Sequence, residues 1–480
     1  MSLALELRID AERLRRAWWI HFLSSIGAVL GRFVIGVVLA RLLAPRELGL
    51  FATASAIVGV AQLLRDLGVS TYIQREPHLD AEGFGACVGL QIAATAAVGA
   101  ALLGAAELIA DEFGAPALAP LIRILTVGLL LSPFSALMAA LQLRAIEAAR
   151  IAWVSRLGTL SWGLAAIGFA QLGYGATGLA WAQLLQVLAC TLAYWPMRPR
   201  DLSWRPRWRR WRAVLHFGSG ALGGNLLSGF NSLLPELLLG RLGGAAQVAL
   251  LGRANAVVGS FQGIVGATLG FGTLPLMAQR HAAGDSLLPG LRRATTLLTG
   301  VAWPLLAWIV LQREALIQVL FGPAWSDSAG AMVPLALAAA LALATHHAGL
   351  ALTAIGRPNL ASLLTAAQLA ARLGGVALLY DGQLLSFAWA LAAATVLVLP
   401  LQHHLYTRQL QLGLPQLLRA SLPSLAVTAA SALAALPWTG PLPSAAAALA
   451  VWLLALRLIR HPLGEELALQ LARLRSTTRK

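Results

Sequence analysis

The sequence has almost no lysine and little charge of either sign. Lys480 is its one lysine among 36 basic residues, and charged residues make up only 12% of the chain. Soluble domains carry about 25% charged residues, so a chain of this length with so little charge is not a soluble globular protein. The lack of lysine also excludes a Walker A motif, whose lysine contacts nucleotide phosphates. We therefore do not expect this chain to hydrolyse ATP.

Cysteine is also scarce, and a cleavable signal pattern is missing. Cys87 and Cys190 both lie in apolar runs, which favours small core side chains over a disulfide or a metal site. The N-terminal residues 1–19 mix acids and bases and lack a signal-peptide cleavage pattern. Alternating strand patterns of about ten residues are absent, which argues against a membrane β-barrel.

Long apolar runs are what the sequence does contain, since 58% of its residues are hydrophobic. Runs of about 20 residues match the length of a helix that crosses a hydrocarbon core of about 30 Å. The sequence therefore predicts an all-α polytopic membrane protein with about fourteen spans. The predicted spans are 18–43, 47–73, 83–109, 116–142, 149–172, 175–197, 213–240, 245–272, 288–311, 329–355, 359–380, 384–407, 417–436 and 443–460.

The positions of the arginines predict how these spans are oriented. Most basic residues fall on alternate connections, and Arg41, Arg46, Arg241 and Arg313 are those on the opposite side. Because cytoplasmic loops carry an excess of basic residues, both termini are predicted to be cytoplasmic. The formal charge of +16 does not indicate a nucleic-acid partner, because the basic residues are spread over the connections.

The densest basic segment is MRPRDLSWRPRWRRWR, residues 197–212. Its arginines alternate with tryptophans, a pattern that could stack on bases. Its position between predicted spans six and seven instead favours a cytoplasmic linker lying on anionic lipid.

That linker separates two similar halves of the chain. A shift of 200 positions aligns Arg41, Gly59 and Gln62 with Arg241, Gly259 and Gln262, together with several apolar identities. A repeat of six spans gives both copies the same orientation, a plan known in transporters with a substrate site between the halves. The predicted divisions are an N-lobe 1–197, a linker 198–212, a C-lobe 213–411, and two further helices with a cytoplasmic tail in 412–480.

Five stretches resemble bacterial polysaccharide and O-antigen flippases of the multidrug/oligosaccharidyl-lipid/polysaccharide exporter superfamily. They are LARLLAPRELGLFATA (39–54), LLRDLGVSTYIQRE (63–76), LLGRLGGAAQVALLGRANAV (238–257), LIQVLFGPAWSDSAGAMVPLALAAAL (316–341) and LTAIGRPNL (352–360). The resemblance implies two lobes in a V shape around a cationic cavity. It also implies export of a polyprenyl-diphosphate-linked oligosaccharide across the inner membrane by alternating access, as in O-antigen or exopolysaccharide synthesis.

Arginines inside the spans are the candidate diphosphate site. Arg32 lies in the middle of the first span, where an arginine costs roughly 2.5–3.5 kcal/mol unless it faces a bundle interior or a wet cavity. A guanidinium fork matches phosphate oxygens in geometry and charge. The other candidates are Arg65, Arg123, Arg253 and Arg372. For each, pairing with a carboxylate is the alternative, and for Arg65 a local salt bridge with Asp66 is favoured.

Carboxylates and one histidine are the candidates for ion coupling. Glu236 follows Pro235 within a span, and a membrane-embedded carboxylate can relay protons or pair with an arginine. Asp66 and His346 are further candidates, and Asn231 and Asn255 are candidate sugar contacts that could equally join helices. We expect no metal and no cofactor beyond coupling to H⁺ or Na⁺.

The predicted function is therefore transport rather than catalysis. The predicted partners are the polyprenyl-diphosphate oligosaccharide, membrane lipid, and polysaccharide polymerase with its chain-length machinery. Export of a peptidoglycan lipid precursor or of drugs by the same superfamily is the first alternative. A membrane glycan polymerase or ligase is the second alternative. Such an enzyme needs large outer loops for its catalytic residues, and the largest predicted outer loop here, residues 312–328, is short.

Overall fold

The structure, a computed structural model, describes residues 27, 29–76, 78–145, 147–199 and 202–466. The N-terminal segment, the first part of predicted span 18–43 and the end of the predicted cytoplasmic tail lie outside the described residues. Every regular element within the described ranges is helical, which confirms the predicted all-α class.

The described residues of the first part of the chain form nine α-helices and one short 3₁₀ helix, Trp195–Met197. The α-helices are α1 (29–42), α2 (Pro45–Asp66), α3 (Val69–Arg75), α4 (Ala81–Glu112), α5 (Leu118–Leu131), α6 (Pro133–Arg144), α7 (Ala148–Gln171), α8 (Gly175–Tyr194) and α9 (Trp211–Leu242).

The second part, described to residue 466, adds nine α-helices and a 3₁₀ helix, Pro323–Trp325. These α-helices are α10 (Gly244–Ala282), α11 (Leu288–Leu311), α12 (Arg313–Leu320), α13 (Ser328–Ala354), α14 (Pro358–Leu379), α15 (Leu384–Leu410), α16 (Leu414–Ala435), α17 (Pro441–Leu458) and α18 (462–466).

The predicted spans all fall on these helices, with the first only partly described. Nine helices of the described part are long and apolar enough to cross a membrane, and α5 with α6 adds a tenth if the bent pair is one span. That pair bends by 51° at Pro133, which has no amide hydrogen to continue the helical ladder. The polytopic membrane architecture is confirmed, and the count of fourteen stays a prediction.

Packing contacts divide the chain into two units, Met1–Ala249 and Leu250–Lys480. The division falls within α10, and α9 packs with α2, α3 and α4 in the first unit. The division predicted from the repeat falls earlier, at the linker 198–212, and the lobes defined by that repeat stay a prediction.

Glycines bring α2 and α9 into close contact in the first unit. α2 ends where Leu67 and Gly68 adopt left-handed backbone angles, with φ of 44° and 75°. A Cβ on Gly68 would lie 2.4 Å from Cα of Gly218 on α9, so only glycine fits both the angle and the contact. A Cβ on Gly229 would lie 2.5 Å from the side chain of Leu63. This approach places the C-terminal turn of α2 beside the middle of α9.

A buried polar network holds the C-terminal segment in the second unit. The His461 ring, fully buried, lies with Nε2 3.1 Å from Oγ of Ser424 and accepts a hydrogen bond at Nδ1 from the Leu463 amide. Oγ of Ser424 lies 2.8 Å from Oγ1 of Thr299. Because buried hydroxyls and rings need partners, this network fixes residues 461–463 against α11 and α16.

Candidate functional site

A cavity of about 570 Å³ lies within the first unit, among α2, α3, α6 and α9. Its apolar lining includes Leu63, Leu143 and Leu233. Its polar lining consists of Gln62, Arg65, Asp66, Ser70, Gln74 and Ser232. A cavity of this size with a few converging polar groups is the usual form of a ligand site.

Arg65 supplies the guanidinium of this cavity. Its Nε and Nη1 atoms are buried, and neither has a hydrogen-bond partner in the described part of the chain. The predicted salt bridge between Arg65 and Asp66 is not formed, since no ion pair within 4.0 Å joins them. Asp66 instead accepts a hydrogen bond from Oγ of Ser70 at 2.6 Å. Neighbouring residues on a helix do not face each other, which separates Arg65 from Asp66. The bond from Ser70 joins the end of α2 to α3 across the break at Leu67 and Gly68.

The cavity can therefore hold charge of both signs at separate points. A guanidinium with buried, unpartnered nitrogens favours an anion, because leaving a buried charge uncompensated is costly. Phosphate oxygens suit it, since charge-assisted hydrogen bonds to arginine are short and strong. Asp66 supplies a carboxylate on the same cavity.

The other candidate arginines lie elsewhere. Arg32 is exposed on α1, and Arg123 on α5 donates to Oε1 of Glu107 at 2.7 Å with half of its side chain exposed. Arg253 lies in the second unit, 5.5 Å from the ring centroid of Phe321. Arg372 is half-buried on α14 of the same unit. In the first unit, neither Arg32 nor Arg123 lines the cavity that contains Arg65. The roles of all four arginines toward substrate stay predictions.

The coupling candidates also differ in their surroundings. Glu236 is half-buried on α9, next to Pro235, and no hydrogen bond or ion pair of its carboxylate occurs within the described ranges. His346 is half-buried, and its ring centroid lies 5.5 Å from that of His347 in an edge-on arrangement. In the second unit these rings lie on α13, so they are not part of the Arg65 cavity.

The sugar-contact candidates are likewise outside the cavity lining. Asn231 is half-buried on α9, one residue before Ser232, and Asn255 is exposed on α10. The described residues hold no group of three or more His, Cys, Asp or Glu side chains placed to bind a metal ion. Cys87 and Cys190 are free thiols.

Sequence reasoning missed the uncharged polar residues of the cavity. Gln62, Ser70 and Gln74 fall on one four-residue spacing with the candidate Asp66. On one continuous helix, that spacing would place them along one face. Here the stripe crosses the break between α2 and α3, and all four residues line the cavity. The four-residue spacing was the signal that could have found them.

Comparison with known proteins identifies the family. A family model described as polysaccharide biosynthesis protein matches residues 38–330. The chain is 23% identical over 324 residues to the succinoglycan biosynthesis transport protein ExoT of Rhizobium meliloti (strain 1021). That match covers 65% of this chain and 63% of the relative, so the chain spans less than two thirds of that protein's length.

Solved structures share the fold. The lipid II flippase MurJ in an inward closed conformation matches with a TM-score of 0.75 at 11% identity, over 91% of this chain and 97% of that one. An inward-facing multidrug resistance MATE family transporter of the MOP superfamily matches with a TM-score of 0.62 at 18% identity, over 82% and 98% of the two chains. Identities this low show the common fold alone. Because the family model covers more than half of the sequence, this integral membrane chain belongs to the polysaccharide biosynthesis protein family.

Proposed function

We propose that the protein is a flippase for a polyprenyl-diphosphate-linked oligosaccharide. It moves this lipid from the cytoplasmic to the outer leaflet of the inner membrane by alternating access, for surface polysaccharide biosynthesis. The family assignment supports a role in polysaccharide biosynthesis, and the relative named for succinoglycan transport supports movement of a glycan. The observation that carries the proposal is the cavity in which Arg65 has buried, unpartnered nitrogens.

The chemistry of the cavity fits a phosphorylated headgroup. The diphosphate oxygens would accept hydrogen bonds from Nε and Nη1 of Arg65, which the protein itself leaves unpartnered. Amide and hydroxyl groups of Gln62, Gln74 and Ser232 line the same space and suit sugar hydroxyls. The cavity of about 570 Å³ holds the charged end and first sugar, while the polyprenyl chain stays in the bilayer.

Ion coupling is the energy source that we propose. One charge that crosses a potential of 100 mV releases about 2.3 kcal/mol, which is enough to bias a transport cycle. Asp66 lies on the cavity itself, and Glu236 is half-buried on α9, the helix that packs against α2. Protonation or cation binding at either carboxylate would change the charge near the site during each cycle.

A peptidoglycan lipid precursor is the second candidate substrate. The shared fold with a lipid II flippase supports a common transport cycle for both substrates and does not by itself separate them. Both substrates are diphosphate lipids, so Arg65 serves either one. Depletion separates them in cells, because loss of surface polymer with normal growth supports the oligosaccharide, and loss of viability supports the precursor.

A reconstituted flipping assay tests the proposal directly. Purified protein in liposomes receives a fluorescent polyprenyl-diphosphate oligosaccharide, and a membrane-impermeant quencher reports the fraction in each leaflet. We expect protein-dependent movement of this lipid and none of the corresponding polyprenyl-monophosphate sugar, which lacks the diphosphate. Equal rates for both lipids, or no movement of either across a proton or sodium gradient, would refute the proposal. Extension of the glycan by the purified protein would instead show a polymerase.

A further inference from the structure

The segment that joins α8 to α9 packs against the helices of the first unit. We call residues 195–212 the arginine–tryptophan segment; the structure describes it except for 200 and 201. The Arg207 amide donates to the Gly85 carbonyl of α4 at 2.9 Å. A Cβ on Gly85 would lie 2.9 Å from Cγ and Cδ of Arg207, so the glycine makes room for the arginine stem. The Trp204 ring packs against Phe84 and Phe134, with centroids 5.0 and 4.9 Å apart.

Two of its arginines complete this docking through ion pairs. Arg209 lies 3.4 Å from Glu82 at the start of α4, and Arg210 lies 3.0 Å from Asp80. The remaining described arginines of the segment have no carboxylate partner in the described part of the chain. These are Arg198, Arg205, Arg207 and Arg212. The segment therefore presents a surplus of positive charge from a fixed backbone.

Exposed indole rings lie among these unpaired charges. Trp195 is 55% exposed and Trp208 54% exposed. The guanidinium carbon of Arg198 lies 4.4 Å from the Trp195 ring centroid, and that of Arg212 lies 5.4 Å from the ring of Trp211. Cation–π contacts of this kind hold charge and ring together on one surface.

We infer that the arginine–tryptophan segment is a docking surface for the headgroups of anionic phospholipids. Tryptophan prefers the headgroup level of a bilayer, and basic residues beside a span are attracted to anionic lipid within about a Debye length. The segment directly connects the membrane helix α8 with α9, so the bilayer surface is its nearest partner. Contacts with Gly85, Phe84 and Phe134 already hold the segment in place. Binding to lipid therefore costs little conformational entropy. This inference does not depend on what the protein transports.

Hydrogen–deuterium exchange in nanodiscs tests the surface. The wild-type chain is compared in phosphatidylcholine alone and in phosphatidylcholine with one third phosphatidylglycerol. We expect amide exchange of residues 205–212 to slow roughly fivefold or more in the anionic discs. The triple variant Arg198→Gln, Arg205→Gln, Arg212→Gln should lose this lipid dependence. These three side chains make no ion pair with the described residues, so the docking on α4 remains.

A second triple variant removes the same charge elsewhere and serves as the matched control. Arg280→Gln, Arg408→Gln, Arg419→Gln neutralises three exposed arginines on the helices α10, α15 and α16, and it should keep the wild-type lipid dependence. Equal exchange of the wild-type segment in both lipids would overturn the inference. Equal loss in both triple variants would show a general effect of net charge and would overturn it too. Slowing of exchange by single-stranded RNA in neutral discs, with none by anionic lipid, would identify base stacking instead.

Discussion

The variant Arg65→Gln tests whether the first-unit cavity binds the phosphorylated headgroup. Glutamine keeps much of the length and polarity of arginine but removes the charge and the fork of donors. In the wild-type protein, Nε and Nη1 of Arg65 are buried without a protein partner, so the variant breaks no hydrogen bond within the described fold. A change in binding then reports the lost charge and donors toward the ligand and not a broken internal hydrogen bond.

The size of the effect follows from the two free donors. A hydrogen bond to a charged group contributes about 1.5–3 kcal/mol, and about 1.4 kcal/mol corresponds to a tenfold change in affinity. Loss of even one such bond to the diphosphate should weaken binding by roughly 10- to 150-fold. Arg65→Lys should lose less, because lysine keeps the charge but not the fork.

Binding of a fluorescent polyprenyl diphosphate to purified protein in nanodiscs measures these differences, and the reconstituted flipping rate follows them. Arg241→Gln is the matched control. Arg241 is half-exposed, its Nε lies 2.8 Å from Oε1 of Glu112, and neither residue lines the cavity. Exposed ion pairs are worth about 0–1 kcal/mol, so this control should bind nearly as the wild type does. Affinity of Arg65→Gln within a factor of two of the wild type, at equal thermal stability, would refute the assignment of the cavity.

Three further predictions concern other groups. Arg123→Gln should leave the flipping rate within about twofold of the wild type, because its partner Glu107 holds it in an exposed ion pair worth about 0–1 kcal/mol; a severe loss would instead support the substrate role predicted from the sequence. Glu236→Gln should make the flipping rate independent of pH at unchanged expression, since glutamine cannot take up or release a proton at this half-buried position; an unaltered pH profile would exclude Glu236 from coupling. Burial lowers the pKa of His461, so the unfolded chain binds its proton at higher pH than the folded chain does. Stability from this group is therefore complete above about pH 6.5 and declines as pH falls below that value; thermal unfolding in detergent should show this decline in the wild type and less of it in His461→Gln.

The membrane fold could be predicted because its signal is local. A run of about 20 apolar residues is sufficient to indicate a span, and the helices such as Leu384–Leu410 and Ser328–Ala354 follow the predicted spans 384–407 and 329–355 closely. The bend between α5 and α6 was missed inside one predicted span, 116–142. Pro133 was visible there, but a proline in an apolar run can also occur in a helix that continues as one span.

The site could be predicted only in part. Arg65 and Asp66 were among the candidates, yet their predicted mutual salt bridge is absent because adjacent helical positions diverge. The sequence favoured a local salt bridge for Arg65 and not for Arg123, yet the structure pairs Arg123 with Glu107, sixteen positions earlier. Partners on different helices have no fixed spacing in the sequence, so hydropathy and charge pattern could not rank these arginines.

The sequence by itself determined the kind of molecule: too little charge for a soluble domain, arginine in place of lysine, apolar runs of membrane length, and motifs that resemble a polysaccharide flippase. Only the tertiary structure decided which polar groups share a cavity and which are already paired. Gly68 and Gly229 let α2 approach α9 closely, and that approach puts Ser232 on the same cavity as Arg65. The hydrophobicity of a segment depends on its own residues, so a membrane span can be predicted from that segment alone. The pairing of charges depends on distances of a few ångströms between segments that are far apart in sequence.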